Sequence, residues 1–273
     1  MTDIDAKLKA LRKNIAATGG MVVAFSGGVD STFLAAVARK QLGTRALAVT
    51  ALSPTYPRRE QDRAAKLAAR LDIRHETVVS NELNIPGFAE NPTNRCYFCK
   101  RELFRILRRV GTRHGILTIA DGTNADDLGD YRPGRRAARE LGVVSPLLEV
   151  GFTKAEIRKV SKEMGLPTAD KPAMACLASR FPYGSRITQE KLAAVDRVEE
   201  GLRKMEFRQV RVRHHGEIAR IEVDADEIPG FISEKTRSRV IRLAKRCGFR
   251  YVALDLEGYR TGSMNEGLRR RKP

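Results

Sequence analysis

Residues Ser26-Gly27-Gly28-Val29-Asp30-Ser31 lie between a short apolar run and a helical pattern. Glycines there let the backbone approach phosphate oxygens. Ser26 and Ser31 add hydroxyls, and a helix N-terminus supplies oriented N–H groups. Asp30 is out of place in an anion site unless Mg²⁺ bridges it to a phosphate. The GK[ST] ending of a Walker A loop is absent. A second polar turn, Gly122-Thr123-Asn124 with Asp126 and Asp127, also follows a predicted strand. It reads as a second nucleotide-side loop or as a plain turn.

Thiols form the other chemical group. Arg95-Cys96-Tyr97-Phe98-Cys99-Lys100 sets two cysteines three apart at a helix start, on one face. The helix N-terminus, Arg95 and Lys100 favour thiolates, which bind metal. Zinc would need two more ligands, and the sequence offers no second CxxC or nearby His pair. Cys176, in Ala175-Cys176-Leu177-Ala178-Ser179-Arg180, is a third candidate. Three cysteines suit a [4Fe–4S] cluster with one iron left open, while packing or a redox pair competes for the CxxC. Cys247, among Val240, Ala244 and Phe249, reads as core. Ser179 and Arg180 beside Cys176 are placed to hold a phosphate or developing charge. Arg211 and Arg213 alternate on a predicted strand and would clamp a phosphate from one face, or else form a solvated basic strand.

Short apolar strands alternating with helices must position these groups. Met21–Phe25, Ala46–Leu52, Glu76–Val79 and Leu117–Ala120 read as strands. Residues 4–17, Ser31–Gln41, Arg58–Leu71 and Lys100–Arg113 read as helices, and Thr153-Lys-Ala-Glu156 opens another as a capping box. That order implies βαβ units and a parallel sheet. Thr168–Thr188 has no period and reads as a long functional loop. Beyond it an αββαβ order (Gln189–Lys204, Gln209–His214, Ile218–Val223, Glu234–Cys247, Tyr251–Asp255) predicts a small separate sandwich. The tail from Arg269 to Pro273 reads as frayed.

With 273 residues, 42% hydrophobic and 31% charged, the composition is that of a soluble globular protein. The acidic, helical N-terminus is unlike a secretory leader, and no apolar run approaches the roughly 18 residues of a membrane span. The expected location is cytoplasmic, without membrane contact. Few, unevenly placed cysteines then argue for metal or catalytic use rather than a disulfide framework. A net charge of +18, spread over both parts of the chain, suggests a polyanionic partner or merely a solubilising surface.

The phosphate loop resembles the PP-loop of the ATP pyrophosphatases, which cleave ATP between its α and β phosphates. Together with NRCYFCK, KPAMACLASRFPYG and GYRTGSMN, it resembles the LarE-type sulfur transferases of nickel-pincer nucleotide cofactor biosynthesis over nearly the whole chain. The resemblance implies an adenine nucleotide alpha hydrolase-like parallel sheet over residues 1–167, with helices on both faces. A catalytic loop over 168–188 carries Cys176, and a small α+β domain over 189–273 serves substrate and oligomer contacts. It implies ATP and Mg²⁺, bound by Ser26, Gly27, Gly28, Asp30, Ser31, Thr123 and Asn124. It also implies a mononucleotide substrate held at Ser179, Arg180, Arg211 and Arg213, and a homo-hexamer. Carboxylates of pyridinium-3,5-biscarboxylic acid mononucleotide are adenylated in that family and AMP is displaced by sulfur. Cys176 matches the shared sulfur-handling position, and Cys96 with Cys99 match the pair of the cluster-bearing kind, so Cys96, Cys99 and Cys176 would hold a [4Fe–4S] cluster. Metal-binding carboxylates are expected in the C-terminal part, with Glu199, Glu200 and Glu222 as candidates.

Three readings compete. A PP-loop tRNA thiolase would use the basic surface and the cysteines, but no RNA-binding module is recognisable in the sequence. A non-catalytic nucleotide-binding regulator leaves Asp30 and the thiols unexplained, and an ammonia-using ligase leaves the cysteines idle.

Overall fold

The computed structural model describes residues 2–129, 133–172 and 174–260. Within it the chain divides into two compact units, Met1–Ile85 with Asn94–Met174, and Pro86–Thr93 with Ala175–Pro273.

The first unit carries a parallel sheet of β1 (Met21–Ala24), β2 (Ala46–Leu52), β3 (His75–Val79) and β4 (Thr118–Ala120), in the order β3-β2-β1-β4. Its helices are α1 (Asp3–Ala17), α2 (Val29–Leu42), α3 (Arg58–Arg70), α4 (Arg95–Arg113), α5 (Gly134–Glu140), the one-turn α6 (Pro146–Glu149) and α7 (Lys154–Glu163). The two-residue period of a strand decides which helix goes where. Met21, Val23, Ala46 and Ala48 enter one core with Leu11 of α1, Phe33 and Leu34 of α2, Ala64 of α3 and Ile157 of α7. Val22, Leu47 and Val49 enter another with Phe104, Leu107 and Val110 of α4 and Ala138 of α5. A sheet covered on both faces explains why its strands read as unbroken apolar runs rather than alternating ones.

Topology also locates the crevice. From β1 the chain steps to β2 and β3 on one side, then returns to place β4 on the other. In open α/β sheets ligands bind at the carboxyl ends of the strands where the order reverses, here between β1 and β4.

The second unit contains α8 (Gln189–Arg203), β5 (Val210–His215), β6 (Ile218–Val223), the one-turn α9 (Ile228–Phe231), α10 (Glu234–Arg246) and β7 (Tyr251–Leu254). Its sheet runs β5-β6-β7, antiparallel across β5/β6 and parallel across β6/β7. Val212, Ile221 and Val223 are buried in the sheet, with Val195 and Val198 of α8 buried as well.

Several boundaries differ from expectation. The helix predicted over Lys100–Arg113 begins at Arg95, so the CxxC lies inside its first turns. Helix α5 was not anticipated, because its arginine-rich turns bury only Ala137 and Ala138 and show no apolar stripe. The expected 1–167, 168–188 and 189–273 division is replaced by a break at 174/175. Pro86–Thr93, expected in the first domain, belongs with the second unit. There the Asn91 amide donates to the carbonyls of Phe181 (3.1 Å) and Pro182 (2.6 Å), and Ile187 N–H to Ala89 O (2.7 Å). The supposed long loop therefore has an ordered half, with a 3₁₀ turn at Leu177–Arg180. Most of the GYRTGSMN motif and the basic tail lie outside the described residues. Among those described, no helix is long and apolar enough to cross a membrane.

Gly111 lets α4 approach β4. A Cβ there would lie 2.4 Å from the Ile116 carbonyl oxygen and 3.2 Å from Ile119 Cδ1. Gly111→Ala should therefore lower stability by about 1–3 kcal/mol, outweighing the ~1 kcal/mol alanine gains in a helix. A chemical denaturation midpoint equal to or above wild type would contradict that packing.

Candidate active site

Strand β1 runs out at Ala24. Phe25 keeps one further sheet bond, its N–H to Val49 O at 2.8 Å, before the backbone turns through Ser26-Gly27-Gly28 into α2. Gly27 has φ +65°, and a Cβ there would sit 3.3 Å from Ala64 Cα, so conformation and space both demand glycine. Three successive carbonyls of the turn accept side-chain hydrogen bonds. Ser26 O accepts from the Tyr56 hydroxyl (2.8 Å), Gly27 O from the Lys171 ammonium (2.8 Å) and Gly28 O from the Ser31 hydroxyl (3.3 Å). Burial, with Glu60 nearby, pushes the Tyr56 hydroxyl well above its usual pKa, so it stays a donor. The Ser26 N–H donates to Ser31 Oγ and the Gly28 N–H to Ser26 Oγ, each at 3.3 Å. The turn thus sets backbone N–H groups at a helix N-terminus, with the Ser26 and Ser31 hydroxyls 3.1 Å apart.

Asp30 stands in the first turn of α2. Its Oδ2 pairs with the Lys154 ammonium, while Oδ1 is buried with no hydrogen-bond partner among the described residues. A buried anionic oxygen left unbonded is costly. The hard, oxygen-seeking Mg²⁺ would satisfy it, so the residue fits the metal expected there.

The second loop touches the first. A Cβ on Gly122 would lie 3.1 Å from Ser31 N. Asp121 accepts from Thr123 N–H (3.1 Å), the Thr123 hydroxyl (2.8 Å) and the Ser145 hydroxyl (2.8 Å). Asn124 donates its N–H to Asp127 (3.1 Å), and its side-chain oxygen accepts from Asp126 N–H (3.0 Å). These groups of Thr123 and Asn124, expected to face a nucleotide, are engaged inside the turn. Asp126 also receives Lys154 N–H at 2.8 Å, which ties the turn to the start of α7. Lys154, Lys171, Tyr56 and Glu60 surround the phosphate loop and were not foreseen, since each arrives from a distant element.

No disulfide forms among the four cysteines; Cys96 is exposed, and Cys99 and Cys176 are partly buried. Cys96 and Cys99 lie on α4 in the first unit and Cys176 in the second. Cys99 Sγ lies 3.9 Å from Glu82 Oε1, a buried carboxylate that also receives the Ser53 hydroxyl and, at 3.0 Å, the Ser80 hydroxyl. Among the described residues no group of three or more His, Cys, Asp or Glu side chains is gathered as a metal site.

Around Cys176 the charges are internal. Arg180 is fully buried. Its Nε and Nη2 meet the two oxygens of Glu199 (2.8 and 3.1 Å), and Nη1 donates to the carbonyls of Ala175 (3.0 Å) and Cys176 (3.1 Å) and to Ser179 Oγ (2.9 Å). Arg203 joins Glu199 at 2.6 Å, and Val212 N–H at 3.0 Å. Burial works against the Glu199 charge, but Arg180, then Arg203 and Arg211, hold its pKa down to about 2. Arg213 makes a two-pronged pair with Glu222 (2.8 Å on each side) and donates to Ser179 O (2.9 Å). Arg220 bridges Glu222 (3.0 Å) and Asp255 (2.7 Å). Arg211 lies 5.0 Å from the Tyr259 ring, and burial, with Arg180 nearby, draws its pKa down to about 10.

Two expectations change here. The solvated-strand alternative for Arg211 and Arg213 is excluded, because both are buried. Glu199 and Glu222, considered as metal-binding carboxylates, are paired with arginines in this unit. Ser179, Phe181, Arg213, His215 and Arg220 line a pocket in this unit, of which His215 and Arg220 were not foreseen.

A phosphate loop leaving the first strand of a parallel sheet, at its switch point, defines a PP-loop ATP pyrophosphatase-type protein. Residues 7–89 match the asparagine synthase family. An uncharacterized protein of Synechocystis sp. is 44% identical over 97% of this chain and 99% of its own. The pyridinium-3,5-bisthiocarboxylic acid mononucleotide synthase of Lactiplantibacillus plantarum is 37% identical over 91% of this chain and 90% of its own. One subunit of the glutamine-hydrolyzing GMP synthase of Methanosphaerula palustris is 26% identical over 67% of this chain and 63% of its own. The chain belongs to the family of the pyridinium-3,5-bisthiocarboxylic acid mononucleotide synthases.

Removing the Glu199 charge strands Arg180. Glu199→Gln should cost about 3–5 kcal/mol, as expected for breaking a buried ion pair. Because the folded pKa of Glu199, about 2, lies below its ordinary 4.5, the contribution is present above 4.5 and fades as pH falls toward 2. Denaturation curves of wild type and variant should converge over that acid window; a constant gap down to its lower end would contradict the assignment.

Proposed function

We propose that the protein is an ATP-dependent sulfur transferase acting on carboxylates of pyridinium-3,5-biscarboxylic acid mononucleotide. The observation that carries this is the run of hydrogen-bonded carbonyls at Ser26, Gly27 and Gly28, backed by 37% identity to the named synthase over 91% of the chain. A carboxylate is a poor electrophile. Its oxygen attacks the α-phosphorus of ATP, pyrophosphate leaves, and the acyl-adenylate then loses AMP to a sulfur nucleophile. The loop N–H groups with the Ser26 and Ser31 hydroxyls bind the departing pyrophosphate. Thr123 and Asn124 brace the neighbouring loop against it. Mg²⁺ held by Asp30 would add charge neutralisation, and Lys154, released from Asp30, remains beside the phosphates.

The substrate's own phosphate is assigned to the pocket at Ser179 and Arg213, with Arg220 beside them. Arg211 contributes buried positive charge, and Arg180, which also lines the pocket, bonds the Ser179 hydroxyl and the Cys176 carbonyl. Cys176 is the sulfur-handling residue. Cys96, Cys99 and Cys176 supply the thiols a [4Fe–4S] cluster needs, and such a cluster would provide an exchangeable sulfide in place of the Cys176 sulfur. The second reading, thiolation of tRNA, is favoured by the net charge of +18, since a polynucleotide rewards a distributed basic surface.

Incubation with ATP, Mg²⁺ and either the pyridinium dicarboxylate mononucleotide or bulk tRNA tests the reading. Thiocarboxylate should form with substrate-dependent pyrophosphate release, and Asp30→Ala should abolish that release while remaining folded. Thiolated nucleoside in digested tRNA beside an unmodified mononucleotide would reverse the ranking.

Cysteine variants separate the sulfur sources. Anaerobically purified protein should contain about four irons per chain, and each of Cys96→Ala, Cys99→Ala and Cys176→Ala should lose the ~400 nm absorption of a thiolate-bound cluster. Full activity in the Cys96 and Cys99 variants, with loss of one sulfur mass from Cys176 after reaction, would establish instead a route in which Cys176 gives up its own sulfur.

A further inference from the structure

We propose that Lys171 is a positioning residue for pyrophosphate recognition: through the Gly27 carbonyl it sets the peptide that presents the Gly28 N–H, and buried Glu60 keeps it there. This rests on the ATP-dependent reading above.

Gly27 adopts φ +65°, where glycine moves freely between backbone hands. Within the loop itself the Gly27–Gly28 peptide is held by one long bond, from the Gly28 N–H to Ser26 Oγ at 3.3 Å. Flipped, that peptide would direct a carbonyl oxygen, rather than an N–H, at a phosphate. The Lys171 ammonium opposes the flip by bonding Gly27 O at 2.8 Å. Its other contact is Glu60 at 2.7 Å, a carboxylate with no exposed surface. Burial disfavours the Glu60 charge, yet Lys171, then Arg59 and Arg63, hold its pKa below the usual carboxylate value. Lys171 thus sits between two acceptors, and turning away would strip a buried anion of its nearest cation.

The backbone is pinned as well. Arg158 donates to Ala169 O (2.5 Å) and Lys171 O (2.8 Å), so the flexible lysine stem starts from a fixed point. All these groups lie in the first unit. Lys171 also stands five residues before Cys176 in the sequence. The β and γ phosphates should feel this contact, whereas AMP, which lacks them, should not.

Equilibrium binding of Mg²⁺·α,β-methylene-ATP and of AMP to the full chain tests the proposal. Lys171→Met keeps the apolar stem and removes the ammonium. It should weaken the triphosphate analogue about tenfold or more, the scale of one charge-assisted hydrogen bond. AMP affinity should stay within about twofold of wild type, since its single phosphate makes no such bond. Lys171→Arg, still able to donate to Gly27 O, should recover most of the loss, which a purely structural defect would not allow. If Lys171→Met does not fold, Lys171→Gln, a neutral donor, should show the same selective loss in smaller degree. Equal analogue binding in the Met or Gln variant, or parallel loss of analogue and AMP, overturns the assignment. Wild-type protein that binds AMP but not the analogue would instead sink the ATP-dependent reading itself.

Discussion

Glu199 is ionised where water does not reach, and the neighbourhood of Cys176 is organised around that one charge. A buried carboxylate is tolerable only when its lone pairs are met by cations and N–H groups in good geometry. Arg180 and Arg203 supply the cations, and the Val212 N–H supplies the remaining bond. Arg180 in turn grips the carbonyls of Ala175 and Cys176 and the Ser179 hydroxyl. The backbone that presents the thiol and the backbone that lines the pocket are thus braced by one guanidinium. A helix and a strand of the second unit exist, in functional terms, to hold that guanidinium in place.

The phosphate loop solves a different problem with the same economy. A glycine-rich turn costs more backbone entropy than any other and has no preferred hand. Tyr56 and Lys171 from distant elements, and Ser31 from the loop itself, remove that freedom by bonding its carbonyls in succession. The backbone of the turn is therefore fixed by its own hydrogen bonds, the kind of preorganisation that electrostatic stabilisation without reorganisation requires. Asp30 with its Lys154 partner adds a charge pair beside the loop.

Much of this was legible in the residues. Apolar runs bounded by Gly and helical periodicity place β1, β2, α1, α2 and the Thr153 capping box within a residue or two, because strand and helix periods and cap chemistry are local properties. The motif Ser26–Ser31 and the three thiols are equally local, and the family resemblance rests on them. Helix α5 and the coupling of Pro86–Thr93 to Phe181 and Pro182 were not legible: the first lacks an apolar stripe, and the second joins residues some ninety positions apart.

What the sequence determined by itself is the inventory: a phosphate loop on a first strand, an acid beside it, thiols at a helix start, and alternating arginines. Tertiary structure alone decided what those arginines do. Arg180, Arg211 and Arg213 look alike as basic residues of a loop and a strand, yet they are buried, and a buried charge must find a counter-charge wherever the fold brings one. Glu199 comes from α8 to meet Arg180, and Glu222 from the neighbouring strand, where it stands opposite Arg211 in register but pairs with Arg213. Likewise Lys171 and Lys154 reach the phosphate loop only because the sheet order returns the chain to the β1 side after more than a hundred residues. Periodicity reports which face of an element is apolar, but pairing of charges depends on distances between elements, and those exist only once the chain has folded.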